Sequence, residues 1–166
     1  MIKLIVAHDE NNVIGFKNTI PWKNSEDMAT FKALTTNNTV VMGSKTWDSL
    51  PKKPLPNRVN IVVSTQNFDN QPGVIFCKTL SQAVKHPSIV GDVYIIGGAS
   101  IYDFALSIDI VDEIIASLIP GTHEGDTFFQ VLNVYDEWIK LIVKNYKTFK
   151  QVTYIKNRGQ LANALY

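Results

Sequence analysis

Asp27 is the residue whose neighbours most clearly prepare it for chemistry. Asn24 and Ser25 are types that start helices, and from there Met28, Phe31 and Leu34 recur at three-residue intervals, marking one face of a short helix over 25–35. At about 100° per residue Asp27 shares the arc of Phe31 and Leu34, so its carboxyl is expected to be buried. An Asp in a first helical turn can serve the macrodipole alone. A carboxyl aimed at apolar side chains, however, needs a donor, and neither i+3 (Thr30) nor i+4 (Phe31) is a cation. A ligand that donates hydrogen bonds would satisfy it. The preceding loop, punctuated by Gly15 and Pro21, carries Ile14, Asn18, Ile20 and Trp22.

A second group of residues could hold phosphate. Gly43-Ser44-Lys45-Thr46 follows an apolar run and opens a helix, offering free N–H groups, hydroxyls and a cation; a capped helix start without a ligand looks the same. Ser64-Thr65 ends the next apolar run and Lys78 the one after it. Ile96-Gly97-Gly98-Ala99-Ser100-Ile101-Tyr102 follows the most apolar run and enters a helix. Its glycine pair lets a backbone approach a ligand closely. It is not a Gly-x-Gly-x-x-Gly fingerprint, and a plain tight turn is the other reading, but this placement suits a dinucleotide phosphate. His8, His86 and His123 lie far apart with no carboxylate or Cys at ligand spacing, so no metal is expected. Cys77 lies among apolar residues and reads as packing, as do Trp47 and Trp138.

The elements that must position these residues are short and alternate. Val- and Ile-rich runs at 3–8, 39–42, 60–64, 74–77, 93–96 and 113–118 are largely apolar on consecutive positions, as in strands buried on both faces. Helical patterns fall between them at 25–35, 45–50, 80–85 and 100–107, the third with a Thr79…Gln82 capping box. This order predicts a parallel sheet covered on both sides with right-handed crossovers. Residues 137–149 and 151–156 read as two long strands forming an antiparallel edge hairpin. The 166 residues, 45% hydrophobic, suit one domain. Sixteen Lys and Arg nearly cancel fifteen Asp and Glu, so the net charge of +1 points to small-molecule partners, with neither nucleic acid nor membrane expected. One cysteine permits no internal disulfide, and the apolar run at 4–7 is too short for a signal or spanning segment. The expected compartment is cytoplasmic and the expected state a monomer.

The run from Val13 to Thr35, Val-Ile-Gly-x4-Ile-Pro-Trp-x4-Asp-x3-Phe-x3-Thr, resembles the signature of the dihydrofolate reductase family. The resemblance implies an α/β fold with an eight-stranded, mostly parallel twisted sheet, the C-terminal antiparallel edge hairpin and four flanking helices. It also implies a reductase domain over 1–157 and a tail, 158–166, without a known role. The implied reaction is NADPH-dependent reduction of 7,8-dihydrofolate to 5,6,7,8-tetrahydrofolate, a step of one-carbon and nucleotide metabolism and an antifolate target.

Carried over residue by residue, Asp27 is implied as the acid that binds the pterin. Ile20, Trp22 and Tyr102 complete the catalytic set, Trp22 ordering water near the substrate. Ile5, Met28, Phe31, Leu50, Lys53, Leu55 and Ile96 would line the substrate slot. Arg58 would clamp a glutamate carboxylate, and Ser117, where the family usually has Thr, would bridge Asp27 to the pterin. Ala7, Ile14, Gly15, Asn18, Gly97, Gly98, Ala99, Ser100, Ile101, Tyr102 and Thr127 would frame the nicotinamide and pyrophosphate, and Gly43, Ser44, Lys45, Thr46, Ser64, Thr65 and Lys78 the remaining phosphate. Asp126 would contact the loop around Asn18 and Ile20. Bacterial relatives commonly have Arg where this chain has Ser44, so a narrower preference for NADPH over NADH is expected. Two rivals stay open: a same-fold pyrimidine reductase of riboflavin synthesis, and a nucleotide-binding module without catalysis.

Overall fold

A computed structural model describes residues 1–132, 134 and 136–159. In chain order the elements are β1 (Ile2–His8), β2 (Val13–Gly15), α1 (Ser25–Thr35), β3 (Thr39–Gly43), α2 (Ser44–Ser49), β4 (Val59–Val63), β5 (Val74–Cys77), α3 (Leu80–Val84), β6 (Val93–Gly97), α4 (Ala99–Ser107), β7 (Glu113–Leu118), β8 (Thr127–Phe128), β9 (Trp138–Asn145) and β10 (Lys150–Lys156). Eight strands form one sheet in the order β5-β4-β3-β6-β1-β7-β10-β9. The first six are parallel to one another, and β10 runs antiparallel to both β7 and β9. This is the α/β architecture expected from the sequence.

Consecutive apolar residues serve two separate cores, because successive side chains on a strand point to opposite faces. Leu4, Val6, Val41, Ile61, Ile95, Ile114 and Ala116 pack on one side with residues of α3 and α4. Ile5, Val40, Met42, Val62, Tyr94 and Ile115 pack on the other with Trp47 of α2 and with Phe31 and Leu34 of α1. Both faces are therefore dry in the middle, and polar chemistry is left to the strand ends.

The structure corrects several details. Met28 is 66% exposed, because it sits at the edge of the apolar arc, and Thr35 is the α1 residue that is fully buried. The hairpin strand ends at Asn145 rather than 149: the Tyr146 amide donates to the Phe149 carbonyl (2.9 Å), closing a turn on which the two rings stack at 4.5 Å. The small antiparallel pair β2–β8 was not anticipated. Of the tail at 158–166, residues 160–166 lie outside the described residues.

Candidate active site

Because six strands run parallel, the residues that follow them collect along one edge. There β6 lies between β3 and β1, and ligands of such sheets bind where the direction of winding reverses. Ala7 of β1 stands opposite Ser117 of β7 in register. Tyr102, from α4, donates its hydroxyl to the Ile5 carbonyl at 2.7 Å. Complete burial pushes this phenol well up, so it remains a neutral donor. Sequence reasoning gathered Ile5, Ala7, Ile96, Gly97, Tyr102 and Ser117 at this edge, and the register brings them together.

Asp27 enters from α1, whose start is capped by Asn24: its Oδ1 accepts from the Asp27 amide at 3.0 Å. The Asp27 side chain is half-buried rather than buried. Desolvation pushes its carboxyl above the ordinary value, and the Ser117 hydroxyl, a hydrogen-bond partner, moderates the rise. Among the described residues no cation forms an ion pair with it. On the same face Phe31, Leu34, Leu50, Leu55 and Ile96 are partly buried against the second core. They form an apolar wall of which Met28, on the open side, is the exposed continuation.

Arg58 lies beyond that wall with its fork already aimed. Its Nε donates to the Pro56 carbonyl (2.9 Å) and a terminal nitrogen to the buried Thr35 hydroxyl (3.0 Å). Burial pulls the guanidinium below its usual value, and no carboxylate pairs with it among the described residues. An anion from outside would relieve that desolvation. The loop is braced by Asn60, whose Oδ1 accepts from the Leu55 amide (2.9 Å) and whose amide group donates to the Leu55 and Arg58 carbonyls. Lys53 stays at the surface, with its ammonium over the Trp47 ring.

The four helices begin in two different ways. Side chains cap α1 (Asn24) and α3 (Thr79), whereas α2 and α4 begin after Gly43 and Gly98 with no side-chain cap. Their first N–H groups are free to meet an anion. The two starts are also neighbours. A Cβ on Gly43 would lie 3.1 Å from Ile101, and one on Gly98 would lie 3.5 Å from the Thr46 hydroxyl. Gly97, at φ +125, holds a conformation that L side chains rarely adopt, and a Cβ there would meet the Tyr102 hydroxyl at 3.3 Å. Ser44, Ala99 and Ser100 lie in these first turns, and Lys45 is exposed beside them.

The outer part of the edge is a cavity of about 170 Å³ lined by Ser64, Gln66, Asn67, Phe68 and Lys78 among others. Phe68, which stacks on Phe76 at 4.6 Å, was missed by sequence reasoning, since residues 64–73 carry no periodic pattern. Lys78 is placed as expected but otherwise engaged. Its ammonium donates to the Thr65 and Gln66 carbonyls and to Asn67 Oδ1, at 3.2, 2.8 and 2.6 Å. As placed it offers charge to a ligand and no spare proton.

The loop before α1 makes a tight reversal. Phe16 and Thr19 exchange backbone hydrogen bonds (2.8 and 3.0 Å) around Lys17 and Asn18, both at positive φ, as in a type I′ turn. Asp126 clasps it by accepting from the Lys17 amide at 3.0 Å, while its own amide donates to the Gly15 carbonyl. Thr127 pairs with Gly15 and donates its hydroxyl to Asp126. Ile20 stays 63% exposed. Trp22 lies against the His123 ring with centroids 5.1 Å apart. His123 in turn meets Asp9, a 1% exposed carboxylate that sequence reasoning passed over.

A family model described as dihydrofolate reductase matches residues 1–157. The chain is 38% identical over 143 residues to the dihydrofolate reductase of Buchnera aphidicola, covering 86% of this chain and 87% of that protein. It is 37% identical over 137 residues to the Staphylococcus aureus enzyme, covering 82% of each. Its structure is similar to that of Enterococcus faecalis dihydrofolate reductase complexed with NADP(H) and RAB-propyl, with a TM-score of 0.83, 28% identity and coverage of 95% and 96% of the two chains.

Proposed function

The chain belongs to the dihydrofolate reductase family, and from that premise we propose that it transfers a hydride from NADPH to C6 of 7,8-dihydrofolate while a proton reaches N5. One observation carries the reading: a half-buried Asp27 with a raised pKa, faced by the Ser117 hydroxyl and by no cation among the described residues. A carboxyl in that position suits a ring that donates hydrogen bonds in a fixed plane.

The residues along the strand edge fit both ligands. The uncapped starts of α2 and α4, with Ser44, Lys45, Thr46, Ser64, Thr65 and Lys78 around the first of them, offer N–H groups, hydroxyls and charge to the phosphates of NADPH. Gly97 and Gly98 leave room for its backbone to pass. Ala7, Ile14, Gly15, Asn18 and Tyr102 frame the ring. When bound, NADPH supplies the hydride. The chain supplies positioning and exclusion of water: Phe31, Leu50, Leu55 and Ile96 hold the substrate rings flat against the sheet edge, with Ile5 beneath. Asp27, on the polar side of the slot, raises the electrophilicity of the pterin. Ile20 and Trp22 close the slot and admit the water that carries a proton to N5. Arg58 holds the glutamate tail.

A pyrimidine reductase of the same fold would need neither Asp27 nor an oriented Arg58 that no carboxylate pairs among the described residues, and a module that only binds nucleotides would need no acid. The test is direct. Purified protein should lose the near-ultraviolet absorbance of NADPH only when dihydrofolate is added; a folded sample that binds NADPH and shows no turnover refutes the proposal.

A further inference from the structure

Asp9 takes no part in the reading above, yet it is the most completely satisfied carboxylate of the site region. Its Oδ1 accepts from the amides of Asn11 and Val13 (both 2.9 Å), which folds the connection from β1 to β2. Its Oδ2 accepts from the His123 amide (2.7 Å) and from His123 Nδ1 (3.0 Å). Burial works to push the pKa of this carboxyl up, but these four bonds more than offset it and leave the group below the usual range. It is thus a fixed, ionised anchor. An ionised carboxylate only accepts, so Nδ1 must carry a proton, and the imidazole is held by one edge. Its other contact is the Trp22 indole, tilted at 59° with centroids 5.1 Å apart. That is the geometry in which aromatic rings attract.

Three segments therefore meet: the end of β1, the connection from β7 to β8, and the loop that leads into α1. The loop is largely exposed from Lys17 to Ile20 and again at Lys23. The connection from β7 to β8 holds it twice, at the Lys17 amide through Asp126 and at Trp22 through His123.

We propose that Asp9 and His123 are positioning residues for Trp22, acting as a rigid bracket that sets the indole, and with it the closing loop, against the substrate side of the site. The proposal rests on the reductase reading for its effect on turnover, but its geometry is independent of it. The proposed function places neither Asp9 nor His123 against substrate or cofactor. The contribution of the bracket is to kcat/KM for dihydrofolate, not to the hold on NADPH.

The backbone bond from His123 to Asp9 survives any side-chain change, so His123→Ala removes the ring contact while leaving the connection anchored. We expect about a fivefold loss in kcat/KM for dihydrofolate with the KM for NADPH changed less than about twofold. In a Trp22→Phe background the same substitution should cost under about twofold, because the contact is already reduced. Equal losses in both backgrounds would overturn the proposal.

A spectroscopic arm needs no turnover. An imidazole packed against an excited indole accepts electron density from it and quenches it. Trp47 and Trp138 are 4% and 3% exposed, and Trp22 is the indole paired with a histidine ring among the described residues. The carboxylate that faces His123 is Asp9, just after β1. His8 and Glu10 flank Asp9 but bond to the Asp9 carbonyl and the Gly121 amide. Trp22 emission, taken as the difference between wild type and Trp22→Phe at one fixed pH, should rise in His123→Ala, where the neighbouring ring that quenches it is gone. Trp22 emission that is unchanged in His123→Ala refutes the bracket. A wild type whose Trp22 emission responds to His123→Ala but that does not turn over would refute the reductase reading alone.

Discussion

Arg58 offers the sharpest test of how the substrate is held. A guanidinium carries five N–H groups. Two are spent on orientation, one to the Pro56 carbonyl at 2.9 Å and one to the Thr35 hydroxyl at 3.0 Å, which leaves enough for a bidentate pair with a carboxylate. A hydrogen bond to a charged group contributes about 1.5–3 kcal/mol. Arg58 is only partly buried, so screening by solvent places the pair at the lower end. About 1.5 kcal/mol corresponds to roughly tenfold in binding. Arg58→Ala should therefore raise the KM for dihydrofolate by about tenfold, measured by NADPH absorbance, with the KM for NADPH unchanged. Thr35→Val, which keeps the shape and removes the acceptor that orients the guanidinium, should cost about threefold, less than Arg58→Ala because the guanidinium itself stays to meet the carboxylate. The control is dihydropteroate, which has no glutamate. If Arg58→Ala weakens it as much as dihydrofolate, the arginine supports its own loop and the clamp is wrong.

Asp27→Asn should lower hydride transfer at pH 7 by roughly 10²-fold or more, with partial recovery at low pH where substrate arrives already protonated; near wild-type turnover at pH 7 would give the acid another role. Its effect on stability has the opposite sign. The folded carboxyl binds its proton more tightly than the unfolded one, so native stability falls as pH rises from the ordinary carboxyl value of 3.8 through the raised folded value. Thermal melts should then show Asp27→Asn more stable than wild type at neutral pH, the gain closing as pH drops to about 4 and below; a variant that melts lower at pH 7 would contradict the desolvation argument. Lys78→Ala should raise the KM for NADPH several-fold, about 1 kcal/mol, and leave NADH nearly untouched; since the ammonium also ties 65–67 together, equal losses for the two cofactors would assign it to the loop and not to the 2′-phosphate. Gly97→Ala should weaken NADPH binding, because the new methyl is forced against the Tyr102 hydroxyl at 3.3 Å from a backbone with φ +125; unchanged affinity in a binding titration would remove Gly97 from the cofactor site.

What could be read in advance were features written in local sequence. Strands buried on both faces announce themselves by unbroken Val and Ile, and α1 and α3 by the cap types Asn24 and Thr79. Asp27 was legible because its nearest neighbours on the helix are apolar. The misses have physical reasons. β2 and β8 have three and two residues, too few to show a period. Tyr146 and Phe149 continue the apolar pattern of β9, yet Lys147 and Thr148 between them form a turn whose Thr148 hydroxyl donates to Glu26 on α1. Asp9 and His123 are separated by 114 positions, and a pair that only the fold assembles leaves no spacing to read. Lys78 was correctly placed at a strand end, but which oxygens its ammonium meets depends on a loop with no regular structure.

The contrast among helix starts ties the fold to the chemistry. A helix N-terminus carries N–H groups that something must accept, and this chain answers with a side chain at α1 and α3 and with glycine at α2 and α4. Glycine does two things at once: it withholds the cap, leaving the amides to an outside anion, and it withholds the Cβ that would hold a ligand off. It also fixes the spacing of the two open starts, because Ile101 in the first turn of α4 lies against Gly43, which precedes α2, closely enough that a methyl there would sit 3.1 Å from it. Parallel strands bring both starts to the same edge, the reversal of winding between β6 and β1 leaves a crevice beside them, and α1, sealed by its own Asn24, is free to present a carboxyl instead of an amide. The sheet edge is thus left with open amides where the proposed function puts phosphate, and with a sealed helix start where it puts a hydrogen-bond donor against Asp27.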